Sequence, residues 1–233
     1  MQKVYRNTAI FIVFILFGIQ WGFYHEYLSQ FPLFKDKTII IHFHGALLMG
    51  WMLLLIAQPL LIQAGKASIH RTIGKASWVL GPLIILSLFL VGRGGYWRNA
   101  GAIPEPMNLA IMVLDTRGLF SFALFWSLAM LNRKTPFVHM RYMIATGILG
   151  IGPGVGRGLM NSFGYRLWDA LAITDVVGLV IVGILLGFDV YRKQNIKPFL
   201  TVFLVLLIGA ILWQLRDTAF WQSFARFYAN AFY

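Results

Sequence analysis

Seven long apolar stretches, each able to cross a bilayer as a helix, are separated by short connectors that carry most of the charge. In lipid a chain must satisfy its own backbone hydrogen bonds, and a helix does so over about 20 apolar residues. The stretches lie at 8–24, 38–63, 77–92, 107–131, 138–159, 168–190 and 198–214. With their connectors they use nearly all of the 233 residues, so the sequence predicts one all-α, polytopic membrane domain over 1–233. The connectors hold the expected helix breakers, among them Phe31-Pro32, Gly94-Gly95, Pro104-Glu105-Pro106 and Thr135-Pro136.

Charge supports the same architecture. Only 12% of residues are charged, against about 25% in a typical soluble domain. The 20 Lys and Arg outnumber the 8 Asp and Glu, a net +12 that in a soluble protein would suggest nucleic acid. Here the basic residues cluster at span ends, so the expected partner is the lipid bilayer and not nucleic acid. The side that begins with Lys3 and Arg6 receives 11 of them and the opposite side 8, which predicts a cytoplasmic N-terminus. No small-residue cleavage site follows 8–24, which reads as a retained first span. The absence of cysteine excludes disulfides, thiolate metal sites and covalent c-type haem attachment.

After Gln214 the aromatics Trp221, Phe224, Phe227, Tyr228, Phe232 and Tyr233 are interspersed with Arg216 and Arg226. This density predicts an interfacial C-terminal helix. Docking of a protein partner is the alternative role.

Several polar groups lie inside spans. Asp115, Arg117, Arg157 and Asp175 join His42 and His44 in the half of the bundle opposite the N-terminus. By residue counting they sit roughly 6–14 Å in from their helix ends. An intramembrane charge costs about 2.5–3.5 kcal/mol on insertion scales, so these groups should face the interior and find partners. His42 and His44 are about 200° apart around a helix. His44, Trp51 and Gln58 recur every seven residues on one face, which favours His44 for the interior and His42 for the interface. Arg157 is expected to pair with Asp115 and Asp175 with Arg117, or the reverse. Such a network could merely fix helix register, or it could hold a ligand, cofactor or proton.

The fifth span contains Gly147, Gly150, Gly152, Pro153, Gly154, Gly156 and Gly158 beside Arg157. A kink or unwound segment lining a site is one reading, and close helix packing through small residues is the other. A second polar layer lies on the N-terminal side. His70 with Arg71, and His139 with Arg141, stand near predicted helix starts, where free amides favour an anion; ordinary interface anchoring is the simpler reading.

The pattern His42-Phe43-His44, Trp51, Gln58, His70-Arg71-Thr72-Ile73-Gly74 resembles a family of small bacterial multi-pass membrane proteins without an assigned activity. The later run His139-Met140-Arg141-Tyr142-Met143, with Pro153 and Arg157 downstream and Phe188-Asp189 closing the sixth span, fits it as well. The resemblance covers roughly residues 40–198 and implies topology, site residues and a bacterial cytoplasmic membrane, without implying a chemistry.

Four functions remain open at this point. The first is a cofactor or metal site, haem or a transition metal, in a redox or respiratory accessory role, with His44 and Asp115 or Asp175 as ligands. The second is a transporter or binding protein for a small anionic or lipid-like molecule, with Arg117 and Arg157 in its pocket. A membrane hydrolase fits loosely, because no histidine pair occupies the final span. A structural subunit docked through the aromatic tail is the last. A retinal pump is excluded by the lack of a lysine within the last span.

Overall fold

A computed structural model describes residues 2–35 and 37–233. It is all α-helical: α1 (Gln2–Tyr24), α2 (Ile39–Gln63), α3 (Ala67–Gly74), α4 (Ser77–Asn99), α5 (Glu105–Leu131), α6 (Pro136–Ile148), α7 (Ile151–Phe163), α8 (Leu167–Tyr191), α9 (Lys197–Gln214) and α10 (Ala219–Phe232). Among the described residues, seven segments are long and apolar enough to cross a membrane, α3–α4 and α6–α7 each counting as one. The chain is a multi-pass membrane protein. The end of the bundle at which α1 begins is the near end, and the opposite end is the far end.

Local chemistry sets the breaks between helices. Gly65, at φ +72°, supplies the left-handed turn that ends α2, and Lys66 N–H closes it on Leu61 O at 2.9 Å. Gly164, at φ +71°, does the same for α7, with Tyr165 N–H reaching back to Leu159 O. Pro136 and Pro198 stand in the first turns of α6 and α9, where a missing N–H costs nothing.

The fifth span, α6–α7, is the centre of the bundle. It packs against α1, α2, α5, α8 and α9, and it is the most buried of the seven. Its break falls at Leu149–Gly150, one turn before Pro153, whose ring nitrogen cannot donate to the carbonyl of Leu149. Gly150 keeps right-handed helical geometry (φ −68°, ψ −16°), so the span bends without unwinding.

The glycines of this span are packing residues. Gly150, Gly154 and Gly158 form a stripe at four-residue spacing that receives α1. A Cβ on Gly154 would lie 2.7 Å from Ile19 Cα, and one on Gly158 would lie 2.5 Å from the Trp21 ring. A Cβ on Gly22 would drive into the Gly154 main chain. Close backbone approach through small residues is the usual basis of helix association in lipid, where the hydrophobic effect supplies little.

The tail departs from a simple interfacial helix. Thr218 caps α10 by accepting from Trp221 N–H, and the helix folds back onto α5. Trp221 is buried and donates its indole N–H to Leu109 O at 2.8 Å. Ala225, Tyr228 and Ala229 join it in a small core with Leu109, Met112, Val113, Leu171 and Trp213. Phe220 and Phe227 remain exposed on the opposite face, and Phe232 is exposed at the end of the helix.

Candidate functional site

At the far end, the sequence-predicted groups stand on four helices, α2, α5, α7 and α8. His44 on α2 meets Ser87 on α4, Nδ1 to Oγ at 2.9 Å. Ser87 gives its single hydroxyl proton to Ile84 O at 2.8 Å, so its oxygen must accept from His44 Nδ1–H. That fixes the tautomer and leaves His44 Nε2 as a bare acceptor. His42, two residues earlier, turns away to Tyr27 Oη at 2.6 Å and packs edge-on against Phe34. The two histidines therefore serve different environments, as their angular separation requires.

Arg117 and Asp175 form the expected pair between α5 and α8 at 3.0 Å, with Gly209 of α9 lying against the Arg117 stem. The second pairing differs from the expectation. Arg157 bonds to Glu26 at 3.0 Å, while Asn161 donates to the other Glu26 oxygen at 3.1 Å. The guanidinium also lies 4.7 Å above the Phe23 ring and reaches Pro153 O. Arg157 thus ties α7 to the turn after α1, and Asp115 is left without it.

Asp115 on α5 has no ion pair and no hydrogen bond among the described residues, although Arg157 and Arg98 are within electrostatic range. It sits against Gly92 of α4: a Cβ there would be 3.1 Å from Asp115 Cβ and 3.0 Å from the Tyr233 hydroxyl. Tyr233 is held in place by its main-chain oxygen, which accepts from Arg93 Nε and Trp97 Nε1, both at 2.9 Å. Burial, then the neighbouring Asp115 and Tyr228, push the Tyr233 phenol above its ordinary range. At the far end His44 is thus paired with Ser87, and Asp115 lies beside the Tyr233 hydroxyl at Gly92, with Arg157 in electrostatic range of both His44 and Asp115.

Midway through the bundle Trp51 donates Nε1–H to Thr146 Oγ1 at 3.0 Å and meets Phe122 edge-on. At the near end, Arg141 is not free for an anion. It forms a two-point pair with Asp189 of α8, and its guanidinium lies over the rings of Phe137 and Phe199. Arg71 is exposed on α3. His70 and His139 direct Nδ1 to the carbonyls of Gln58 (3.4 Å) and Ala129 (2.8 Å).

Among the described residues no group of three or more His, Asp or Glu is arranged to hold a metal ion, so His44 with Asp115 or Asp175 does not make a complete metal centre. The sequence reading missed Glu26, Ser87, Asp189 as a partner, and Tyr233. Only Asp189 carried a signal, because its depth matches that of Arg141 on a neighbouring span. No family model, no curated protein and no solved structure matches this chain.

Proposed function

We propose that this chain is a ligand-binding integral membrane protein in which His44, Ser87, Asp115 and Tyr233 line a far-end chamber that takes a cationic or proton-donating group between Asp115 and His44. The carrying observation is the isolation of Asp115. Of the seven described carboxylates, Glu26, Glu105, Asp169, Asp175, Asp189 and Asp217 each have an Arg partner within 4 Å, and Asp115 has none. A carboxyl in that setting is unfavourable unless something completes it. The chamber also offers the bare Nε2 of His44 and the Tyr233 hydroxyl, two groups able to accept from such a ligand.

The donor set argues against an anion. Arg117 and Arg157, which would have bound one, are already neutralised by Asp175 and Glu26. A metal ion or the cationic part of a cofactor falls within the proposed class, consistent with a redox or respiratory accessory role. The excess of basic residues on the N-terminal side and the resemblance to a bacterial membrane family support placement in a bacterial cytoplasmic membrane with the N-terminus inside. A structural-subunit role is favoured only by the exposed Phe220, Phe227 and Phe232, since the rest of the tail is used within the chain.

The test is a thermal-shift panel on the detergent-purified chain. Monovalent and divalent cations and small amines should raise the unfolding temperature of the wild type and not of Asp115→Asn. A shift produced instead by sulfate, phosphate or carboxylates, and lost in Arg157→Ala, would overturn the proposal in favour of the anion reading.

A further inference from the structure

At the near end, three polar side chains on three helices, none of them part of the far-end group, stand at one level of the bundle. Gln58 of α2 is 8% exposed, and neither its Oε1 nor its Nε2 has a partner. A buried amide left in this state costs about 1–3 kcal/mol. The amide faces α3: a Cβ on Gly74 would lie 3.7 Å from Oε1 and 4.0 Å from Nε2. From that same short helix, His70 places its ring on the Gln58 main-chain carbonyl.

Helix register brings in the third member. α2 and α6 run in opposite directions and pack together, with Trp51 bonded to Thr146. Seven residues further along α2 is Gln58, and seven residues back along α6 is His139. Both displacements are roughly 10 Å toward the near end and preserve the facing side. Gln58 and His139 thus occupy the next level of the same seam. His139 is also within electrostatic range of the His70 ring.

The protonation pattern points to a ligand class. A carbonyl oxygen can only accept, so both His70 and His139 carry the proton on Nδ1 when neutral. Each then presents Nε2 as an unused lone pair, and no hydrogen bond to either Nε2 exists among the described residues. Imidazoles held by an Nδ1–H···O=C bond are the usual form of histidine ligands to metals, because that bond fixes both tautomer and ring orientation. An anion would need donors here. The nearest guanidinium of this layer, Arg141, is bound to Asp189.

We infer that His70 and His139 bind a transition-metal centre through their Nε2 atoms, with the Gln58 amide hydrogen-bonding a water or ligand on that metal. Two imidazoles suit zinc, copper, nickel or cobalt, and equally the iron of a haem. No third His, Asp or Glu joins them among the described residues, so water or an exogenous ligand fills the remaining positions.

Titration of the full chain with Co2+, purified in detergent without a polyhistidine tag, tests the inference. Visible absorption should report one Co2+ site, weakened about tenfold or more in His70→Ala and in His139→Ala and unchanged in Asp115→Asn. If the protein instead arrives with bound haem, the same two substitutions should abolish its Soret band, which identifies the same ligands. Retention volume and unfolding temperature confirm folding; His70 lies on a short surface helix, so His70→Ala decides the matter should His139→Ala fail to fold. A wild type that takes up neither Co2+ nor haem, or a Co2+ affinity equal in wild type and His70→Ala, overturns the inference. The Asp115→Asn control keeps that failure separate from any failure of the far-end chamber.

Discussion

Arg141 and Asp189 meet through two hydrogen bonds, Nε to Oδ2 at 2.6 Å and Nη2 to Oδ1 at 2.5 Å, each side chain only 8% exposed. The pair joins α6 to α8 at the near end. Breaking it by Arg141→Ala or Asp189→Ala leaves one charge buried without its counterpart, for a loss of about 3–5 kcal/mol. Replacing both, as Arg141→Met with Asp189→Leu, should cost far less. Denaturation in mixed detergent reads the difference, and equal losses in the single and double variants would contradict a specific pair.

The α1–α7 interface gives a matched comparison within one helix. Gly154→Ala forces a methyl against the Ile19 main chain and should cost about 1–3 kcal/mol. Gly152→Ala meets nothing within 4 Å and should be neutral or slightly stabilising, by about 0.5–1 kcal/mol. Unfolding temperatures that rank the two variants the other way would refute the stripe.

Tyr233 supplies a pH dependence. Its phenol is raised by burial, so the fold retains a proton that the unfolded chain releases near pH about 10. Above that pH the unfolded state binds fewer protons than the native state, and stability falls as pH rises toward the folded value; below it the contribution is fully present. The wild type should therefore lose stability with alkaline pH more steeply than Tyr233→Phe. Parallel slopes would show that the phenol is not sequestered.

Topology can be tested cleanly because the chain has no cysteine. Ser29→Cys, in the far-end turn, should react with a membrane-impermeant thiol reagent on intact cells. Gln194→Cys, in the near-end turn, should react only after permeabilisation. The opposite pattern would invert the orientation drawn from the basic residues.

Much of this was legible in the residues themselves. Spans and the Arg117–Asp175 pair followed from the cost of charge in lipid and from simple depth counting. The Asp115–Arg157 pairing failed for a physical reason. Glu26 lies two residues beyond α1, in a connector, and a charge outside the apolar run gives no hint that it reaches back to a span. For His70 and His139 the sequence offers only an anion-favouring layer or interface anchoring, because hydropathy does not reveal α3 as a separate helix folded under Gln58. For the glycines, sequence alone left kink and packing open, since both use small residues; the structure shows both, a bend at Leu149–Gly150 without unwinding and the close approach of Ile19 and Trp21 to Gly154 and Gly158. The aromatic tail was correctly a helix, but which face it buries depends on α5, far away in the chain.

The glycine stripe also bears on how the chain is made. α1 leaves the ribosome well ahead of α7, because the groove it fits is not synthesised until more than a hundred residues later. Until then only α2, its immediate successor, can cover it. α1 must wait in lipid, or beside the insertion machinery, with Gly18 and Gly22 uncovered on the face meant for α7. Assembly of the central helix is thus the step at which the early half of the protein acquires its final arrangement. A substitution that fills the groove would be expected to act first on the yield of inserted protein, before any effect on a finished molecule is measured.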